Sequence, residues 1–97
     1  NAEEVADTFK IIIPKIEKGE MKFFIIRDLF LNFDTYKGKI VEAIGKSTVT
    51  IKAGDMAALR TMYNSDTGSM NNVLEIMVKK GTLTDEQITE IKEQRKS

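Results

Sequence analysis

Residues 3–18 place Val5, Phe9, Ile12, Ile13 and Ile16 at the i, i+4, i+7, i+8 and i+11 spacing of one face of a helix. An amphipathic helix of that length carries an apolar stripe that the rest of the chain must cover. Pro14 falls inside the stripe. Proline removes the bond to the Lys10 carbonyl and disfavours α geometry at Ile13. The pattern therefore predicts a kink, or a helix ending near Ile12, with Gly19 as the stop in either case.

The next apolar run, 21–33, reads MKFFIIRDLFLNF and is hydrophobic all round, so it is buried. Period does not separate strand from helix there; a strand over 21–26 with Asp28 starting a helical turn is preferred, and a single buried helix is the rival. Ser47-Thr-Val-Thr-Ile-Lys52 alternates cleanly and is β-rich, which predicts a half-buried strand with Val49 and Ile51 inward. Lys39–Ile44 reads as its hairpin partner. A Gly45-Lys46-Ser47 loop sets Val41 and Ala43 opposite Ile51 and Val49, a better register than a two-residue turn that faces Glu42 to Val49.

The remainder reads as helical. Asp55 is a candidate N-cap for a helix over 55–64, with Leu59, Met62 and Tyr63 on one face. Asn64–Ser69 is built of turn residues. A helix over 70–80 has Val73, Leu74, Met77 and Val78 inward, Lys79 and Lys80 at its negative end, and Gly81 as a left-handed stop. Thr84-Asp-Glu-Gln87 is a capping box opening a last helix whose apolar face is only Ile88 and Ile91, so residues 92–97 are expected to fray. The fold class expected from these elements is α+β: a small antiparallel β-sheet or hairpin packed with about four helices in one domain spanning 1–97. Without an initiating Met, Asn1-Ala2 is compatible with a cloning remnant, and a missing upstream segment stays open.

Composition matters mainly for what it excludes. The chain has no cysteine and no histidine. Those two absences remove the disulfide framework, the thiol nucleophile, the usual general base and the usual zinc ligands. Carboxylates never reach the density of a calcium-binding loop, so neither a metal nor a small-molecule cofactor is expected. No apolar run is long enough to cross a membrane, and a cytoplasmic location is expected. Fifteen basic and fifteen acidic residues leave a formal net charge of zero, which argues against binding nucleic acid or anionic membrane by bulk charge.

Three short motifs invite a chemistry. Asp66-Thr-Gly-Ser69 resembles the string around the catalytic aspartate of pepsin-like proteases. In that family the aspartate follows apolar residues on a buried strand and is paired with a second such loop; Asp66 follows Tyr63-Asn64-Ser65, and two helices follow it. It reads as a loop and a helix start. Gly45-Lys-Ser-Thr48 resembles the end of a phosphate-binding loop, but position 40, where the motif needs glycine, is Ile. Ile40–Ile51 resembles a helix-turn-helix, with Lys46 in place of the apolar residue after the turn glycine and Gly54 interrupting the second helix.

Across residues 37–60, Lys37, Lys39, Lys46, Lys52 and Arg60 outnumber Glu42 and Asp55. These five cations are the candidate nucleic-acid contacts of a winged-helix-like DNA-binding protein using a basic hairpin, 39–52, and the helix 55–64. A solvated ribbon with lysines on its polar face is the plainer explanation. Met56, Met62, Met70 and Met77 suit core filling or an adaptable interface. Phe23, Phe24, Phe30, Phe33 and Tyr36 offer more aromatic surface than one amphipathic helix can cover, which suggests a partner or a homodimer. The function expected is thus a non-enzymatic protein–protein interaction module that self-associates, with the DNA-binding protein as the alternative.

Overall fold

A computed structural model describes residues 1–93. Among them the chain forms six α-helices and no β-strand: α1 (Ala2–Glu17), α2 (Phe23–Asn32), α3 (Lys37–Lys46), α4 (Met56–Ser65), α5 (Thr67–Lys80) and α6 (Asp85–Lys92). Single 3-10 turns at Asp34–Tyr36 and Ala53–Asp55 lead into α3 and α4. The expected α+β fold is overturned, and with it the sheet, the hairpin and the winged helix. Of the tail expected to fray, Lys92 closes α6, Glu93 is its C-cap, and 94–97 lie outside the described residues.

The physical reason lies in which side chains reach the core, because the buried residues follow a helical period and not the expected alternation. Ile40, Ala43 and Ile44 are all buried and fall at i, i+3 and i+4, so residues expected to line a hairpin form the inner face of α3. In α2, Ile26 and Phe30 are the buried i, i+4 pair. A helix satisfies its own backbone, whereas the hairpin would have left an outer edge open.

Helix α1 runs through Pro14 without ending, and the Pro14 carbonyl still accepts from the Lys18 N–H at 3.0 Å. Its apolar stripe explains this, because Phe9 on one side of Pro14 and Ile16 on the other are both buried. That anchorage offsets a proline cost of about 3 kcal/mol. Phe9 also organises the aromatic residues. It stacks on Tyr36 with ring centroids 4.1 Å apart and meets Phe33 edge-on at 5.4 Å. With Phe30 fully buried, most of the aromatic surface is absorbed within one chain.

Helix α3 sits between α1 and α5, and α4 packs on α2, α5 and α6. The core between them contains Leu59, Met62, Met70, Leu74, Met77, Leu83 and Ile91, so the methionines fill the interior. Lys80 reaches from α5 and donates from Nζ to the Gly45 carbonyl at 2.9 Å, setting a cation at the negative end of α3. The α5–α6 turn and the extended α3–α4 connection are joined by the Ile51 N–H donating to the Thr82 carbonyl at 2.8 Å.

Candidate functional site: an apolar groove beside an extended segment

The turn between α1 and α2 and the extended Ser47–Lys52 segment enclose an open groove of about 580 Å³. Gly19 makes this approach feasible. Its φ is +71°, and a Cβ there would overlap Cγ2 of Val49. Only a residue without a side chain combines that left-handed conformation with that contact. Ile16, Ile26 and Ile44, all buried, form the floor.

The rim is different. Phe24, on the first turn of α2, is 53% exposed, and Val49, which lines the same groove, is 38% exposed. Both are large apolar side chains held at the surface, each within two residues of a buried isoleucine, Ile26 in α2 and Ile51 in the connection. Lys22, Lys52, Glu20 and Asp55 mix both signs of charge around the opening. A second recess lies between α3 and α5, lined by Val41, Gly45, Val73 and Ile76, of which Ile76 is 44% exposed.

The five candidate cations are placed on α3, on the α3–α4 connection and on α4. Lys37 is largely covered: its ammonium lies 3.2 Å from Asp66 Oδ2, 3.4 Å from Asp34 Oδ1 and 5.0 Å from the centre of the Phe30 ring. Arg60 pairs with Glu90 on α6 at 3.3 Å, and Lys46 stands 3.8 Å from Glu17. Lys39 is exposed on α3, and Lys52 is exposed at the end of the extended segment. Lys46 and Lys52 bracket the segment that was expected to be a hairpin strand, but no hairpin presents them.

Asp66 has a structural occupation. It is the N-cap of α5, accepting from the Ser69 hydroxyl at 2.7 Å, the Ser69 N–H at 3.1 Å and Lys37 Nζ at 3.2 Å. The Ser69 hydroxyl, then the Ser69 N–H, then Lys37 hold its carboxyl below the usual carboxylate range. The hydrogen bond to Asp66 is the chief reason that the Lys37 ammonium titrates above its ordinary value, against a smaller opposing effect of burial. The Asp-Thr-Gly-Ser string is therefore a helix start held by its own serine. Among the described residues no three Asp or Glu side chains converge as cation ligands, and no helix is long and apolar enough to cross a membrane.

The groove escaped sequence reasoning because its walls come from residues 16–26 and 44–55, which only the fold brings together. One signal pointed toward it: Phe24 lies outside the Ile26–Phe30 repeat that buries α2. No protein-family profile matches the chain, no curated protein matches it, and no solved structure matches it.

Proposed function

We propose that the chain is a non-enzymatic protein–protein interaction module that self-associates by docking its apolar groove face onto a second copy. The observation that carries this reading is the pair Phe24 and Val49, both exposed and both lining one apolar groove. Contiguous exposed apolar surface marks interaction sites in soluble proteins. Zero net charge means that two copies meet without overall repulsion. The sequence holds no histidine or cysteine, and Asp66, whose carboxyl is held below its ordinary value, is engaged as a helix cap. A cytoplasmic location, where a chain without disulfides is at home, belongs to the same proposal.

Sedimentation equilibrium over a wide concentration range tests it. The expected result is a reversible species at twice the 11.0 kDa monomer mass. Phe24→Asp should weaken that species by on the order of tenfold or more while leaving the helical circular dichroism unchanged. A wild-type chain that stays monomeric throughout the range would contradict the reading.

A further inference from the structure

The chain holds five methionines, and four of them, Met56, Met62, Met70 and Met77, are buried. Met21 is the exception. It is half-buried, packed against the core and at the same time lining the groove. A methionine thioether is flexible and apolar, and its oxidation to the polar sulfoxide needs access to the oxidant. Access therefore singles out Met21.

Its position also matters to α2. Lys22, the N-cap residue, gives no side-chain hydrogen bond to the helix start, and no acidic residue stands in the first turn. Lys22 contributes its carbonyl, which accepts from the Ile25 and Ile26 N–H groups at 3.0 and 3.1 Å. A helix start without a side-chain cap leans on packing. Met21 precedes the N-cap and Ile26 lies four residues after it. Those are the places of a hydrophobic staple, in which two apolar side chains fix the angle at which the chain enters the helix. Ile26 is buried, and both residues line the same groove. Phe24 stands on the turn between them.

We propose that Met21 is a redox switch on the groove face. Hydrogen peroxide transfers one oxygen atom to the Met21 sulfur: the sulfur lone pair forms the S–O bond, the O–O bond breaks, and water leaves. The sulfur is oxidised by two electrons, the peroxide is reduced, and methionine sulfoxide reductases reverse the change. The sulfoxide sets a polar oxygen in a wall shared with Ile16, Ile26, Phe24 and Val49. It also weakens the staple, so the first turn of α2 frays and Phe24 loses its fixed place. The loss of dimer that follows is regulation of the self-association proposed above and rests on that reading; the loosening of α2 does not.

Dilute hydrogen peroxide applied to the folded full chain, followed by peptide mass spectrometry, tests the selection. Met21 should gain oxygen about tenfold or more faster than the four buried methionines. In the chain oxidised at Met21, amide exchange should rise at Ile25 and Ile26 and stay unchanged at Leu83. The dimer should weaken by on the order of tenfold in sedimentation. Met21→Leu, of similar volume, should keep the slow exchange and the dimer and lose both responses to peroxide. Met21 reacting no faster than Met62 overturns the switch, and so does an unchanged dimer in the chain oxidised at Met21. A chain that is monomeric before oxidation removes the self-association reading instead, and exchange at Ile26 then decides whether the redox device in α2 stands.

Discussion

The two connections that meet at the Ile51–Thr82 bond are built in opposite ways. The α5–α6 turn is finished by its own neighbours. Gly81 takes φ +86°, the Thr82 and Leu83 N–H groups both donate to the Met77 carbonyl, and the buried Thr82 hydroxyl donates there too. Thr84 and Gln87 then cap α6 reciprocally at 3.0 Å each way. The α3–α4 connection borrows instead. Ile51 depends on Thr82 and on Gln87, Val49 depends on the Gly19 turn for its place, and Thr48 and Thr50 have no protein partner among the described residues. A loop that satisfies itself holds the fold together, and a loop that leaves groups open is where another chain can bind.

Substitutions on the two connections can break or sharpen this contrast. The largest effect is expected at Leu83, which is buried: Leu83→Ala should cost about 3 kcal/mol in urea unfolding. The glycines come next, and they should differ from each other. Gly19→Ala meets both a left-handed φ and Val49, for about 2 to 3 kcal/mol, whereas Gly81→Ala meets open space and should cost about 1 kcal/mol. Equal costs would show that the Gly19–Val49 approach does not matter to the fold. Thr84→Ala should cost about 1 kcal/mol through the lost cap.

Charge at Asp66 should leave a pH signature in thermal unfolding. Its folded carboxyl titrates below its ordinary value of 3.8, so its contribution is present above that pH and is lost as pH falls through the folded value. The Lys37 ammonium, raised above 10.5, contributes below that pH and loses its contribution as pH rises through the folded value. Asp66→Asn should therefore lower the melting temperature at neutral pH, with the difference closing in strong acid. A difference independent of pH would mean that the pair does not stabilise the fold. Thr50→Ala should change monomer stability by less than about 0.5 kcal/mol, because nothing in the described chain depends on that side chain.

The same contrast explains what was legible in the sequence. Gly81 and the Thr84–Gln87 box sit within a few residues of everything they bond, so their pattern states their structure. Asp66 was hidden inside an expected loop, although Asp66 and Ser69 have the spacing of a cap; as a result α5 starts at Thr67, earlier than the expected Met70. At 39–44 the buried residues are Ile40, Ala43 and Ile44, the spacing of a helix face, whereas the expected hairpin register turned Val41 and Ala43 inward; packing between α1 and α5 selects the helical set. At 47–52 the expected strand with Val49 and Ile51 inward is not formed: Ile51 is buried, Val49 is exposed, and the expected partner strand is absorbed into α3. Ranking residues by charge led to five cations, of which Lys37, Lys46 and Arg60 are paired within the chain, whereas the groove needed contacts between distant segments.

The most direct test of self-association through the groove face is NMR of the Phe24 ring and the Val49 methyl groups in dilute and in concentrated protein. Concentration-dependent shifts at both, with the buried Leu83 methyl groups unmoved, are the expected result. Unchanged Phe24 and Val49 signals at a concentration where the chain sediments as a dimer would contradict it.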